Sequence, residues 1–223
     1  MNWHDINTVL LDMDGTLLDL NFDTHFWREH VPRRYAFTRG LDIPTAKTVL
    51  EPVFLRISGT LDWYCLDYWT RQLGLDIAAM KKDVAHLIAL QDGAVDFMDG
   101  LRRLGKRAVL VTNAHPKSVA LKLEHTRLDN HLDHIVSSHE LGLPKENHSF
   151  WTHLQALEPF DPRHTLLVDD NLAVLRSAQR FGIRHLLAAC RPDSKQPPRR
   201  TDEFASFNRF AEIMPPSASH PSA

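Results

Sequence analysis

Short apolar runs alternate with longer segments of mixed polarity along much of the chain. The runs are rich in Val, Leu and Ile, which is typical of buried strands. We predict strands at residues 8–13, 107–114, 133–141, 165–171 and 183–189, the third of them continuing as a loop. The segments between them predict helices. The pattern therefore favours right-handed βαβ units and an α/β fold, with a Rossmann-like parallel sheet and helices on both faces.

Residues 21–92 interrupt this alternation. The segments within this stretch show helical patterns, with Pro44 placed to begin one helix and Gly74 placed to end another. An insertion of this kind after the first strand predicts a small α-helical cap. The α/β core, which would carry the chemistry, then consists of residues 1–20 and 93–200.

The end of the chain has a different composition. The segments RPDSKQPPRR and MPPSASHPSA are rich in proline and polar residues, which predicts loop or disorder. Between them, DEFASFNRFAEI has helical character. We predict that residues 201–223 form a C-terminal helix and a flexible tail.

Composition and charge narrow the choice of setting. The chain has 223 residues, with 26 Lys and Arg against 28 Asp and Glu, so no nucleic-acid partner is expected. Its two cysteines argue against a disulfide framework and fit a reduced, cytoplasmic setting. The first residues lack a signal-peptide pattern, and no apolar run approaches the ~18 residues of a membrane span. We expect a cytoplasmic protein without membrane contacts, either a monomer or a weak homo-oligomer.

Side chains suited to chemistry gather where the predicted strands end. They are Asp12, Asp14, Thr112, Asn113, Lys145, Asp169 and Asp170. In an open parallel sheet, ligands bind outside the carboxyl ends of the strands. So many acids in one place need a counter-ion, and Mg²⁺ prefers hard oxygen ligands. The sequence therefore predicts a Mg²⁺ site, which Mn²⁺ could also occupy.

This combination of residues favours phosphoryl transfer. A carboxylate such as Asp12 can attack phosphorus to form an aspartyl-phosphate, and Lys145 adds positive charge where negative charge spreads. Asp14 lies two residues after Asp12, so in a continuing strand the two would share a face. From there Asp14 could protonate the leaving oxygen and later deprotonate water. Thr112 can donate a hydrogen bond to the phosphoryl group.

The same positions resemble a known family. DMDGT at 12–16, VTN at 111–113, Lys145 and VDDN at 168–171 resemble, in order, the four motifs of the haloacid dehalogenase superfamily. Several longer segments are similar to its bacterial GMP/IMP 5′-nucleotidase branch, namely LDMDGTLLDLNFD, LDWYCLDYW, TNAHP, KLEHT and GLPKE. This resemblance implies a Mg²⁺-dependent phosphomonoesterase that acts on purine nucleoside 5′-monophosphates.

The resemblance also assigns roles to single residues. It implies that Asp12 is the nucleophile and a metal ligand, and that Asp14 is the acid/base with its backbone carbonyl on the metal. The phosphate-binding residues would be Thr112, Asn113 and Lys145. Asp170 would be the principal metal ligand, with Asp169 as a supporting carboxylate. An acid two residues after the nucleophile favours phosphoryl transfer over dehalogenation, because the dehalogenase branch lacks that acid.

Other functions stay open. A sugar-phosphate or phosphoglycolate phosphatase is the main alternative, followed by a phosphosugar mutase. Receiver domains of response regulators use similar residue types, but their acid pair precedes the acceptor aspartate, which is the reverse of the order here. A silent binding protein on the same fold is a further alternative. The aspartates at 169–170 and Asn171 could also cap the helix that follows them.

Substrate contacts beyond the phosphoryl group are less defined. The aromatic residues Trp63, Tyr64, Tyr68 and Trp69 have the spacing of a cap core, although one or two could stack on a nucleobase. His115 could contact substrate or begin a helix. Among the other histidines, 125, 131 and 134 are closest in sequence, but their spacing matches no familiar zinc site.

Overall fold

A computed structural model describes residues 1–216 of the protein. Its centre is a sheet of six strands in the order β3-β2-β1-β4-β5-β6, and all neighbouring strands are parallel. The strands are β1 (Thr8–Leu11), β2 (Arg107–Thr112), β3 (His134–Ser137), β4 (Thr165–Asp169), β5 (His185–Ala189) and β6 (Ala205–Phe207). The predicted α/β fold with a parallel sheet is confirmed.

Residues 21–92, which we call the cap, are mainly helical. Their helices are α1 (Asn21–His25), α2 (Val31–Arg39), α3 (Ile43–Ile57), α4 (Leu61–Tyr64), α5 (Leu66–Leu73) and α6 (Ile77–Asp83), with a π-helical turn at Phe26–His30 and a 3-10 turn at Ala85–Leu87. As the sequence predicts, Pro44 lies in the first turn of α3 and Gly74 ends α5 in the left-handed conformation. The cap has an apolar cluster of its own, centred on Phe22, Phe26 and Trp69. The exact division between cap and core stays a prediction.

The remaining helices cover both faces of the sheet. They are α7 (Ala94–Arg103), α8 (Pro116–Thr126), α9 (Ser138–Leu141), α10 (His148–Leu157) and α11 (Leu172–Phe181), joined by 3-10 turns at Trp3–Asp5, Leu128–His131, Pro162–His164 and Phe210–Glu212. Val9 and Leu11 pack in the cluster that contains α7, whereas Leu10 packs against α10 and α11. Successive side chains of β1 thus enter opposite layers, and both layers are apolar because the sheet is covered on both faces.

The C-terminal helix predicted from the sequence is wrong. Ala205–Phe207 instead forms β6, which pairs in parallel with β5 at the edge of the sheet. The edge of β5 offers unpaired backbone groups that a strand can satisfy. The aromatic residues that gave the segment helical spacing are used differently, since Phe207 and Phe210 pack together with their ring centroids 5.2 Å apart. The predicted flexible tail falls largely on residues 217–223, outside the described residues.

In the part of the chain that the structure describes, no helix is both long enough and apolar enough to cross a membrane.

Candidate active site

The ends of three neighbouring strands form the floor of the candidate site. Asp12 follows β1 directly, Thr112 ends β2 and Asp169 ends β4. Strand β1 lies between β2 and β4 in the sheet. Neighbouring strands are about 4.8 Å apart, so side chains at these three ends must approach one another. The structure thus brings together residues that are between 57 and 157 positions apart in sequence.

Lys145 reaches this floor from the loop between α9 and α10. Its Nζ donates to Asp12 Oδ1 at 2.5 Å, to Asp169 Oδ2 at 2.7 Å and to the backbone carbonyl of Val111 at 3.0 Å. The side chain is only 2% exposed. A buried ammonium group is tolerated only when it is paired, and all three of its donors are used here. The two carboxylates hold the pKa of Lys145 above its usual value in spite of burial.

Three carboxylates converge beside this lysine. Oxygen atoms of Asp12, Asp169 and Asp170 all lie within 4.8 Å of one another. Asp170 is also contacted by Arg199, whose Nη1 is 3.1 Å from Oδ2. Hard oxygen donors at this spacing are the ligand set that Mg²⁺ prefers. The donor set therefore fits the magnesium ion that the sequence predicts.

Gly15 makes room for this acidic group. Its φ of +95° lies in a region that favours glycine, and a Cβ atom here would lie 2.8 Å from Asp170 Cγ. Any other residue would have to displace the carboxylate. The glycine of the DMDGT motif is thus required by the close approach of a predicted metal ligand.

The pKa values of these acids are raised. Burial raises the pKa of Asp12 to about 6, with Lys145 opposing the shift and the charge of Asp169 adding to it. Burial also raises the pKa of Asp169, and it raises that of Asp170 further because Asp12 and Asp169 lie beside it. Three clustered acids exceed the combined charge of Lys145 and of Arg199 beside Asp170. A divalent cation would restore the balance and keep all three ionised.

Asp14 is not placed as the sequence predicts. Strand β1 ends at Leu11, and the chain then turns, with the backbone N–H groups of Leu17 and Leu18 donating to the Met13 carbonyl. The expectation that Asp12 and Asp14 share a face of a continuing strand is therefore wrong. Asp14 nevertheless lines the same cavity as Asp12. Metal binding through its backbone carbonyl stays a prediction.

A buried chain of alternating charges connects Asp14 to the cap. Lys122 Nζ donates to Asp14 Oδ1 at 2.6 Å and to Asp23 Oδ2 at 2.7 Å, and Lys81 Nζ donates to Asp23 Oδ1 at 2.5 Å. Burial raises the pKa of Asp14 to about 6, which Lys122 opposes and Asp23 reinforces. For Asp23, the two lysines outweigh burial and hold its pKa below the usual value. At pH 7, these contacts stabilise the ionised form of Asp23.

Sequence analysis gave no role to Lys122, Lys81 or Asp23, although Lys122 and Asp23 lie in the segments KLEHT and LDMDGTLLDLNFD. The signal for Lys122 is present in α8, because it follows the buried residues Ser118 and Val119 by four and three positions. Helical spacing therefore places it on the buried face. A lysine in that stripe requires a buried acid as its partner.

Asn113 positions the lysine loop. Its Oδ1 accepts from the backbone N–H of Lys145 at 2.9 Å, and its Nδ2 donates to Glu146 Oε2 at 2.9 Å. Glu146 Oε1 accepts from the Tyr64 hydroxyl at 2.7 Å and from Asn171 Nδ2 at 3.1 Å. Glu146, which sequence analysis did not assign, therefore joins the floor to the cap.

Thr112 is buried and accepts from the Ala114 N–H at 3.1 Å, a contact that does not use its hydroxyl hydrogen. Phosphate binding by Thr112 and Asn113 stays a prediction.

A cavity of about 1350 Å³ lies between the floor and the cap. Of the predicted cap aromatics, Trp63 and Tyr64 line it. Trp69 is 1% exposed and donates from Nε1 to the Trp63 carbonyl, and Tyr68 packs edge-on against it with centroids 5.2 Å apart. The last two therefore belong to the packing of the cap. Phe54, which sequence analysis did not single out, also lines the cavity.

The histidine and asparagine predictions can be placed as well. His115 lines the cavity, and it also caps α8 by accepting from the Lys117 N–H at 3.3 Å. Asn171 caps α11 by accepting from the Ala173 N–H at 2.9 Å, so neither adjacent aspartate is the N-cap of that helix. The two histidines at positions 131 and 134 pair with the carboxylates of Asp99 and Glu158 respectively.

Comparison with protein families decides the membership of this chain. The model of the haloacid dehalogenase-like hydrolases matches residues 6–182. The chain belongs to that family. Curated relatives include the GMP/IMP nucleotidase YrfG of Escherichia coli strain K12 and the protein of the same name in Shigella flexneri. Each is 41% identical over 213 residues, which is 96% of both chains.

Solved structures of the family share its fold. A haloacid dehalogenase phosphatase from Thermococcus onnurineus superposes with a TM-score of 0.78 at 19% identity, covering 93% of this chain and 96% of its own. The L-2-haloacid dehalogenase of Xanthobacter autotrophicus gives a TM-score of 0.61 at 15% identity, covering 93% and 96%. At these identities the likeness shows the fold alone. The family resemblance predicted from the four motifs is confirmed.

Proposed function

We propose that this hydrolase is a Mg²⁺-dependent phosphomonoesterase that cleaves purine nucleoside 5′-monophosphates, GMP and IMP, through an aspartyl-phosphate. The observation that carries the proposal is the juxtaposition of Asp12 and Lys145, 2.5 Å apart, at the floor of a cavity that Asp14 also lines. A nucleophile, an acid/base and a fixed positive charge then face one space. Aromatic cap residues line the same space.

The class of the enzyme follows from its family and relatives. A haloacid dehalogenase-like hydrolase that shares 41% identity with nucleotidases over 96% of its length is a phosphoric monoester hydrolase. The substrate and the steps of the reaction belong to the proposal.

In the first step, a carboxylate oxygen of Asp12 attacks phosphorus. The Asp12 O–P bond forms while the bond between phosphorus and the nucleoside 5′-oxygen breaks, and Lys145 offsets the negative charge that spreads over the phosphoryl oxygens. The leaving oxygen takes a proton from Asp14. With its pKa raised to about 6 by burial, Asp14 retains a protonated fraction near neutral pH, as a general acid requires.

In the second step, water attacks the same phosphorus. Asp14 takes a proton from that water, the Asp12 O–P bond breaks, and inorganic phosphate leaves. Asp14 returns to its protonated form, so the cycle closes without net change in the protein. Mg²⁺ would be held by Asp12, Asp169 and Asp170, where it would neutralise the acids and the phosphoryl group together.

The cap supports the preference for purines. Trp63 and Phe54 line the cavity with aromatic surface, and a purine offers a larger stacking face than a pyrimidine. Arg28 and Lys47 line it as well and carry N–H donors. A donor placed at C6 of the purine suits the 6-oxo group of GMP and IMP, whereas the 6-amino group of AMP would leave it unpaired.

The test is steady-state kinetics with Mg²⁺ on a panel of nucleotides and phosphosugars. We expect kcat/KM to be higher for GMP and IMP than for AMP, CMP, UMP, phosphoglycolate or hexose phosphates. Activity should vanish with EDTA and return with Mg²⁺ or Mn²⁺. If phosphoglycolate or a hexose phosphate exceeds every nucleotide, the substrate is wrong, and full activity after thorough chelation would exclude the metal-dependent mechanism.

A further inference from the structure

A second group of metal-binding residues lies apart from the acidic floor. Ligand atoms of Cys65, His115 and His139 all lie within 4.8 Å of one another, and all three residues are half-buried. Cys65 stands between α4 and α5 in the cap, His115 precedes α8, and His139 lies in α9. No sequence pattern announces this group, because the three residues are distant in the chain and meet only where cap and core touch.

Local structure does not account for the choice of cysteine. Cys65 is the N-cap of α5, and its Sγ accepts from the backbone N–H of Tyr68 at 3.3 Å. Serine, threonine, aspartate or asparagine serves better in that role. The thiol is therefore better explained by what it faces, which is the pair of histidines.

The two histidines provide a second, independent indication that this group binds a ligand. Within the described part of the chain, His139 Nε2 is buried and has no hydrogen-bond partner. A buried polar atom without a partner costs stability, so an unfilled contact at this position is informative. The two imidazole rings lie edge to face, with centroids 4.9 Å apart. His115 Nδ1 accepts from the Lys117 N–H over a long 3.3 Å contact, so metal binding through Nε2 would move the ring proton to Nδ1 and replace that contact.

The protonation of the rings suits a metal. Burial lowers the pKa of His115, although Asp67 opposes the shift, and burial together with His115 lowers the pKa of His139. Both imidazoles are therefore neutral at pH 7 and can offer a nitrogen lone pair. Metal binding deprotonates a coordinating thiol. A thiolate with two neutral imidazoles is a ligand set typical of zinc.

We propose that Cys65, His115 and His139 bind a thiophilic divalent cation of the Zn²⁺ class, in a site that joins the cap to the core. Zinc is usually tetrahedral, so a fourth position is left for water or a carboxylate. Asp67 is adjacent, with Oδ2 3.6 Å from His115 Nε2. Ligand softness separates the two sites, because oxygen atoms at the floor select Mg²⁺ and the sulfur–nitrogen set selects Zn²⁺.

The experiment is a Co²⁺ titration of the reduced, full-length protein in saturating Mg²⁺. Cobalt occupies zinc sites and gives an absorption band from sulfur-to-cobalt charge transfer only when a thiolate is bound. We expect the band in the wild-type protein and in Cys190→Ser, and its loss in Cys65→Ser. Serine can still cap α5, so Cys65→Ser should fold, which circular dichroism checks. Addition of Zn²⁺ should displace Co²⁺ and remove the band.

A second pair of variants tests the histidines. His139→Gln should weaken Zn²⁺ binding at least ~100-fold, the upper range for loss of an outer partner of a ligand. His125→Gln is the matched control, because His125 is exposed on α8 and should leave the affinity unchanged. No charge-transfer band in the wild type, a band that survives Cys65→Ser, or equal affinities in the two histidine variants would each overturn the proposal.

Discussion

The two walls of the cavity are built by different means. On the core wall, Asp12 and Asp169 sit at the ends of paired strands, so the register of the sheet fixes where their backbones lie. On the cap wall, Phe54 and Trp63 project from α3 and α4, with ring centroids 6.1 Å apart. Their positions depend on helix packing, whose crossing angles scatter by about 15–20°. The positions of groups at strand ends can therefore be predicted more closely than the positions of groups on packed helices.

The walls also differ in polarity. The core wall concentrates buried charge, with Lys145 paired to two carboxylates. Apart from the buried pair of Asp23 and Lys81 next to the floor, the cap wall offers aromatic surface and charges in contact with water, such as the pair of Lys47 and Glu29, whose side chains are 44% and 40% exposed. The phosphoryl group is common to all phosphomonoesters, whereas the alcohol differs. We therefore expect substitutions in the core wall to affect every substrate, and substitutions in the cap wall to affect selected ones.

The largest effect should come from Asp12. The variant Asp12→Asn removes the nucleophile and should lower kcat at least ~10³-fold, the scale seen when a catalytic unit is broken. The loss should be similar for GMP and for p-nitrophenyl phosphate, because both present the same phosphoryl group. Steady-state kinetics on both substrates measures it.

A matched control is Asp129→Asn, which removes an exposed carboxylate from a short turn and should leave turnover unchanged. Near wild-type kcat in a folded Asp12→Asn protein would end the case for covalent catalysis by this residue.

The core wall was largely predictable from sequence. Apolar runs ending in Asp12, Thr112 and Asp169 identify parallel strands, and parallel strands deliver their ends to one edge. The common edge of the sheet is enough to predict that these three side chains lie close together, and the geometry of the loops is not needed. The prediction failed at Asp14, because it assumed that the strand continued. The turn at Gly15 breaks the alternation of faces, and the partner of Asp14 lies on α8, beyond the reach of strand periodicity.

Asp14 lies where the two walls meet, and its substitution should have an effect on turnover of intermediate size. If Asp14 protonates the leaving group, Asp14→Asn should slow GMP by ~10²–10⁴-fold and p-nitrophenyl phosphate far less, since nitrophenolate leaves without a proton. Asp19→Asn is the control, because Asp19 accepts from the backbone N–H groups of Asn21 and Ser194 and not from Lys122. Equal losses on both substrates would assign Asp14 to the metal and remove it from proton transfer.

The cap was less predictable. Helical periodicity marked residues 21–92 as helical and found the aromatic group, but it could not divide that group. Trp63 faces the cavity and Trp69 is buried, although both lie in the same short segment, because α4 ends at Tyr64 and a new helix begins at Leu66. The break between α4 and α5 interrupts the helical periodicity, so spacing counted across both helices does not predict which side chains share a face. The hydrogen bond between Tyr64 and Glu146 could not be predicted from the sequence either, because it depends on how the cap packs against the core.

The smallest effect should lie at Trp63 and should be confined to substrates with a base. Stacking on an aromatic side chain is worth about 1–3 kcal/mol per base, so Trp63→Ala should lower kcat/KM for GMP by ~5- to 150-fold. Ribose 5-phosphate has the same type of leaving oxygen and no base, so it should be spared. Tyr68→Ala is the control, because Tyr68 packs against Trp69 and, among the described residues, is not part of the cavity lining. That variant should lower stability without separating the two substrates. If Trp63→Ala slows GMP and ribose 5-phosphate equally, Trp63 supports the shape of the cap, and the base must be bound by other residues of that wall.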